Sequence, residues 1–284
     1  MKLSKDLNIL IIGLGLMGGS YAKALKEKGY KVSAITKKQS DAEYALANGF
    51  ADIAVSTVDE QLVATADLVI FALYPHVFVE WINNYQHLFK SGAVISDVTG
   101  VKGCIVGKIQ SVLRPDVEFI AAHPMAGREQ SGIEFADSSI FKVANYIVTP
   151  TEKNSKEAVS LCRDLGETLG FARISELSPD RHDEIIAFLS QLTHCIAVCL
   201  MCSSDDHGLV NYTGDSFRDL TRIARINDEM WSELFLDNKT ALLKQMEIFK
   251  VGFDKMYTAV KNGDREGLRE MMKTSTERRG WFDR

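Results

Sequence analysis

The hexapeptide Gly13-Leu14-Gly15-Leu16-Met17-Gly18 directly follows an apolar run at residues 8–12 and opens a helix-like stretch at 18–28. A glycine cluster between a buried strand and a helix leaves the chain few folds. The three glycines allow a tight turn, room for a ligand against the backbone, and close packing of helix on strand. The helix start offers unpaired N–H groups and the positive end of its dipole, which suits phosphate. The pattern in this setting predicts a dinucleotide held by Gly13, Gly15, Leu16, Met17 and Gly18.

The residues that follow extend the same plan. Apolar runs at 31–35, 68–73, 93–96 and 118–122 alternate with helix-like stretches at 40–48 and 76–83. Such alternation implies right-handed crossovers and a mostly parallel sheet, so the expected class is α/β, a doubly wound Rossmann-type domain. A strand at 145–149, a helix from about 155 to 169 and a strand at 171–174 continue it. Ser178-Pro179-Asp180 then reads as a helix start, a capping residue followed by proline in the first turn. Beyond it the pattern is helical, with loops near 203–208, 212–216 and 262–264. The expected division is a dinucleotide-binding domain over residues 1–175 and an all-helical substrate-binding and dimerisation domain over 176–284. Ile185, Ile186, Phe188, Leu189, Leu192, Ile196, Val198 and Leu200 are more apolar than a thin helical layer needs. They predict a homodimer.

Enzymes that take NAD usually place Asp or Glu at the end of the second strand, on the ribose 2′-hydroxyl. Here that end reads Ala34-Ile35-Thr36-Lys37-Lys38-Gln39-Ser40, with no carboxylate. Thr36, Lys37, Lys38 and Ser40 suit a 2′-phosphate, so NADP is favoured and NAD stays open. A formal charge of −5 argues against a general nucleic-acid binder. No apolar run is expected to reach bilayer length, and the start lacks the three regions of a signal peptide. A cytoplasmic enzyme acting on a small molecule, with neither nucleic acid nor membrane as partner, is the expectation. Cys195, Cys199 and Cys202 recur at helical spacing in an apolar run, which predicts a buried stripe rather than a metal or redox cluster.

Ligands of an open α/β sheet sit beyond the carboxyl ends of its strands. One such end reads Ser96-Asp97-Val98-Thr99-Gly100-Val101-Lys102, another Ala121-Ala122-His123-Pro124-Met125. His123 is expected to leave an apolar strand, fixed by the proline after it. A neutral imidazole there can accept a hydroxyl proton while hydride departs. A satisfied structural histidine fits the same position equally well. If His123 is a base, activity should rise with pH around the ordinary imidazole value of ~6.5.

GLGLMGGS at 13–20, DVTGVKG at 97–103, HPMAGREQSG at 123–132, SQLTH at 190–194, FRDLTRIAR at 217–225 and Met230-Trp231 together resemble, in order, the motifs of the prephenate/arogenate dehydrogenase family. The resemblance covers essentially the whole chain. It implies oxidative decarboxylation of prephenate to 4-hydroxyphenylpyruvate or, as the alternative, of arogenate to tyrosine. It also implies roles: His123 as acceptor for the ring hydroxyl, Arg222 on a substrate carboxylate, and His194 at the side-chain end of the substrate. Ser190, Asp219, Glu129 and Trp231 match positions that line or shape the pocket.

Three departures stand out. Many relatives read GSVK where this chain has Thr99-Gly100-Val101-Lys102, so Gly100 replaces a serine that orients the histidine, and Thr99 is expected to supply the hydroxyl. The usual SHLPH is Ser190-Gln191-Leu192-Thr193-His194, and Asp215 adds a negative charge before the FRD segment. The β-hydroxyacid dehydrogenases share the two-domain plan but use a lysine early in the second domain, and residues 179–202 contain none. A non-enzymatic dinucleotide sensor would need neither the histidine nor the distant arginine.

Overall fold

A computed structural model describes residues 2–128 and 130–283. Glu129, expected at the pocket mouth, lies outside them. The strands β1 (Ile9–Ile12), β2 (Val32–Ile35), β3 (Ile53–Val55), β4 (Leu68–Phe71), β5 (Val94–Asp97) and β6 (Glu118–Phe119) form one sheet in the order β3-β2-β1-β4-β5-β6. Every pairing in it is parallel. Helices α1 (Leu16–Glu27), α2 (Gln39–Ala47), α3 (Glu60–Thr65), α4 (Pro75–Tyr85) and α5 (Gly103–Val112) make the crossovers. The strand order reverses between β1 and β4, the point at which such sheets open a crevice for ligand.

Alternation along β1 shows how the sheet holds together. Ile9 and Ile11 join a core with α1 residues Tyr21 and Leu25, whereas Leu10 and Ile12 join a second core with α4 and α5 residues Phe78 and Ile105. Successive strand residues point to opposite faces, so a strand covered on both sides reads as an unbroken apolar run. Full burial of each such side chain contributes roughly 1.5–3 kcal/mol.

The run at 118–122 does not form one strand. The chain leaves the parallel sheet after Phe119, and β7 (Ala121–Met125) begins a second sheet with β8 (Asn145–Thr149) and β9 (Arg173–Glu176). β7 is antiparallel to β8, and His123 sits opposite Ile147. His123 is therefore inside a strand, not leaving one. β3, α3 and α5 were not expected from the sequence. β3 is only three residues long and incompletely buried, and α5 contains Gly103 and Gly107 and so lacks a strong helical signature. Helix α6 (Lys156–Leu169) starts on Ser155, whose Oγ accepts from the Ala158 N–H, and ends at Gly170, where φ is 87°.

After β9 the chain is helical: α7 (Pro179–Ile186), α8 (Thr193–Met201), α9 (Asp215–Thr221), α10 (Asp228–Asp237), α11 (Lys239–Asn262) and α12 (Arg265–Gly280). Ser178 caps α7 as expected, accepting from the Arg181 N–H. α7 and α8 are joined without a break by a π-helical segment, Ala187–Leu192. The resulting helix, Pro179–Met201, has 23 residues, and its most apolar 18-residue stretch has a mean hydropathy of 1.7, so it reaches the length of a membrane span, contrary to expectation. A third of that stretch is buried, and His182, Asp183 and Gln191 are buried and hydrogen-bonded to other elements, so one face of the helix packs on the rest of its compact unit. The residues group into two compact units, Met1–Asn238 and Lys239–Arg284. Packing thus joins α7–α10 to the nucleotide-binding part.

Candidate active site

The glycine turn has the shape that a pyrophosphate needs. Gly13 has φ 100°, and its N–H donates to the Ile35 carbonyl at 2.8 Å. A Cβ on Gly13 would strike the Ala72 carbonyl, and one on Gly18 would strike the Gly13 carbonyl. Gly15 is different, since a Cβ there meets nothing within 4 Å and the backbone faces open space. Gly15 is also the residue before α1, whose start has no side-chain cap, so N–H groups of the first turn at Leu16, Met17 and Gly18 remain for a ligand. The residues fit the expected dinucleotide. At the end of β2, Thr36 is buried while Lys37, Lys38 and Ser40 are exposed, and Lys38 precedes α2.

Beyond β5 lies a buried ionic knot. Lys102 Nζ donates to Asp97 Oδ2 at 2.7 Å, to the Ala122 carbonyl at 2.6 Å and to Thr99 Oγ1 at 3.2 Å. Asp97 Oδ1 accepts from the Ala122 N–H at 3.1 Å, so both ions are tied to the residue before His123. Neither side chain has any exposed surface. Removing one partner of such a pair strands the other, which is why the pair is structural rather than dispensable. Burial pushes the Lys102 ammonium below the usual lysine range, and Asp97 opposes that shift.

Thr99 does not take over from the family's serine. Its hydroxyl lies against the Asp97 carboxylate and, at 3.0 Å, the Val101 carbonyl, turned into this knot. The tight turn at 97–102 buries Thr99, so its hydroxyl serves Asp97 and not His123. Gly100 occupies the serine's place instead: a Cβ on it would lie 3.8 Å from His123 Nε2 and 3.5 Å from a Leu234 methyl of α10.

The other face of His123 is held by residues that the sequence did not single out. His123 Nδ1 lies 2.8 Å from His182 Nε2, and His182 Nδ1 lies 2.7 Å from Asp183 Oδ1. Asp183 also accepts from the Lys102 N–H at 2.8 Å and, through Oδ2, from the Gly103 N–H at 2.7 Å, at the start of α5. Burial, then the neighbouring His182 and Lys102, holds the His123 imidazolium well below the usual histidine range. Burial also lowers His182, with Asp183 opposing. Behind them Asn238 donates to the Asp183 carbonyl and to Gln191, and Gln191 donates to the Leu234 carbonyl, fastening α10 to the central helix.

α10 carries Trp231, which stacks on His194 with ring centroids 3.8 Å apart. His194 Nδ1 is 2.9 Å from the Ser190 carbonyl, so Ser190 contributes through its backbone. The π segment explains how one helix serves two histidines. At about 100° per residue, His182 and His194 would stand roughly 120° apart on an α-helix, and one residue inserted by the π turn reduces this to roughly 20°. Arg222 is exposed and opens a 3₁₀ turn, Arg222–Ala224, that packs on α8. Asp219 is exposed on α9. Asp215 is ion-paired with Arg218 at 2.5 Å. The structure thus gathers His123, Gly100 and Leu234 at one point, and His194 and Trp231 at another, linked by α10.

The cysteines are free. Cys195 is buried, but Cys199 and Cys202 are exposed, so the expected buried stripe holds only at its first member. Among the described residues no group of His, Cys, Asp and Glu could hold a metal ion.

Comparison with known proteins matches this geometry. Residues 21–175 match the family profile described as prephenate dehydrogenase, nucleotide-binding domain, and residues 178–274 that described as prephenate dehydrogenase, dimerization domain. The chain is 31% identical to prephenate dehydrogenase of Bacillus subtilis, over 98% of this chain and 76% of that one. Among solved structures, prephenate dehydrogenase from A. aeolicus in complex with hydroxyphenyl propionate and NAD+ superimposes with a TM-score of 0.90 at 28% identity, over the whole of both chains. Synechocystis arogenate dehydrogenase does so with a TM-score of 0.82 at 26% identity, over 98% of this chain and all of that one. Profiles matching both halves of the chain and relatives matching nearly its whole length place it in a family: the chain belongs to the prephenate dehydrogenase family of NAD(P)-dependent oxidoreductases.

Proposed function

We propose that this chain oxidises and decarboxylates prephenate to 4-hydroxyphenylpyruvate, in tyrosine biosynthesis, with NADP as preferred cofactor. The observation that carries this reading is His123: its Nε2 lies beside Gly100, which follows β5, and Gly100 faces Leu234 of α10, the helix that also carries Trp231 stacked on His194. The substrate is a cyclohexadienol with a ring carboxylate and a pyruvyl side chain. NADP, when bound at Gly13–Gly18, supplies the hydride acceptor. His123 takes the hydroxyl proton as hydride leaves the carbinol carbon. The bond to the ring carboxylate breaks, CO2 departs, and its electron pair enters the ring, which becomes aromatic. The oxygen then regains a proton as the phenol. Arg222 holds a carboxylate through its planar fork, His194 and Trp231 contact the side-chain end, and Asp219 and Glu129 shape the mouth. In this reading residues 1–175 bind the dinucleotide, and 176–284 bind substrate and pair the subunits.

Steady-state assays with prephenate and arogenate, each with NADP and NAD, test it directly. Prephenate with NADP is expected to give the highest kcat/KM. Lys37→Asp should shift the preference toward NAD, because a carboxylate there repels a 2′-phosphate and accepts from a 2′-hydroxyl. Equal or better use of NAD by the native chain would sink the NADP preference, and turnover of arogenate alone would replace prephenate as substrate.

We also propose a cytoplasmic homodimer. Phe188 and Leu189 in one compact unit, and Phe253, Tyr257 and Val260 in the other, leave 46–63% of their surface exposed. Apolar exposure on that scale marks an interface. Light scattering at micromolar concentration should give twice the 31.6 kDa chain mass. A mass of one chain would contradict the dimer.

A further inference from the structure

We infer that His182 and Asp183 are positioning residues that decide which ring nitrogen of His123 carries the proton, leaving Nε2 as the basic atom turned toward the substrate. The inference rests on the reading of His123 as the base and extends it to two residues outside the motifs that define the family resemblance.

Both oxygens of Asp183 are committed as acceptors, Oδ1 to the Lys102 N–H and Oδ2 to the Gly103 N–H. Both donors are backbone groups at the start of α5, so this carboxylate is fixed in place and oriented by a helix end. His182 Nδ1, 2.7 Å from Asp183 Oδ1, must therefore be the donor. A neutral His182 then has a bare Nε2, which can only accept. The partner at 2.8 Å is His123 Nδ1, which must carry a hydrogen, and the neutral His123 ring keeps its lone pair on Nε2.

The opposite arrangement would disable the site. A charged His182 would donate from Nε2 to His123 Nδ1, and the proton of a neutral His123 would move to Nε2, the atom that has to receive the substrate proton. The surroundings of His182 work against that state. The ring is fully buried, and Lys102 lies close by, its ammonium anchored on the Ala122 carbonyl beside His123. Burial first, with Lys102 beside it, pushes the His182 imidazolium down, and together they outweigh Asp183 and Asp97, which favour the charged ring. The groups facing the two rings are thus Asp183 and Lys102 with its partner Asp97, all held by backbone hydrogen bonds or by one another.

Gly100 makes this contact matter more in this chain. A side-chain hydroxyl at that position would reach toward His123 Nε2 and help to fix the ring from the substrate side, but glycine supplies no such group. The ring is then oriented from behind, through Nδ1. When His123 becomes the imidazolium, its Nδ1–H still points at a neutral acceptor that is itself tied to an anion, so the charge is stabilised without moving a heavy atom.

Nitrogen-15 NMR of the whole enzyme with labelled histidine reads the proton position directly, with His123 assigned by the signal lost in His123→Asn. The native enzyme is expected to show His123 protonated on Nδ1 and bare on Nε2. In His182→Leu the proton should redistribute to Nε2, and kcat should fall roughly 10- to 100-fold, less than for loss of the base itself, with KM within about twofold. His182→Gln, whose amide oxygen can accept from Nδ1, should recover most of the loss. Native His123 protonated on Nε2 overturns the inference, whatever the variants do, and that measurement decides if His182→Leu fails to fold. Native kcat in a folded His182→Leu also overturns it while His123→Asn stays inactive. Native kcat in His123→Asn overturns instead the reading on which the inference rests.

Discussion

His123→Asn is expected to lower kcat by roughly 10²–10⁴-fold, the usual worth of a general base, with little change in KM. Asparagine nearly matches the ring in size and can still meet His182, so the pocket keeps its shape while the proton acceptor is lost. The pH profile of the native enzyme carries a linked expectation. His123 works only when neutral. Burial, with His182 and Lys102 nearby, holds its ionisation well below the ordinary imidazole value of 6.5. A lowered value leaves the neutral form dominant further into acid. The acid limb of kcat/KM should therefore fall below the pH at which an exposed histidine titrates, and not at ~6.5 as its residue type alone implies. A limb centred at ~6.5 would show that the ring is solvated at the moment of reaction. A near-normal kcat in His123→Asn would remove it from the chemistry.

Arg222→Ala is expected to act on the other kinetic constant. A group that grips a carboxylate equally in ground and transition states contributes uniform binding, so its loss raises KM and spares kcat. Truncating one member of a buried charge pair costs about 2–5 kcal/mol. Arg222 is exposed on its 3₁₀ turn, and solvent screens such a charge, so the lower end applies. About 2 kcal/mol corresponds to a roughly 30-fold higher KM for prephenate. Arg222→Lys separates charge from shape. If the planar fork matters, lysine should recover only part of the loss. An unchanged KM in Arg222→Ala would move the carboxylate site elsewhere.

Much of this protein is legible in its residue order, for reasons that are local. A strand buried on both faces is mostly apolar: β1 and β4 are apolar throughout, β2 is broken only by Ser33, and β5 is apolar until Ser96 and Asp97 at its functional end. The glycine turn announces itself because two of its positions admit no Cβ and a third leaves the backbone open. Ser178 and Pro179 mark the start of the helical half because capping and proline geometry are properties of four consecutive residues. The strand histidine and the arginine segment were found through short motifs, again local.

The tertiary structure decided what depends on distant neighbours. Whether 118–122 was one strand or two turned on a sheet change at Ile120, set by pairing with β8 some 25 residues later and not by any breaker in the run. Thr99 was expected beside His123, but a turn of five residues wraps its hydroxyl onto Asp97. His182 and Asp183 read as ordinary polar residues in a first helical turn, and only the fold sets them against a ring 59 residues earlier. The π segment that brings His182 and His194 near one face has no composition of its own. Periodicity records which face of an element is buried; the partner on that face, and hence the proton on His123, is fixed by packing between elements that the sequence keeps far apart.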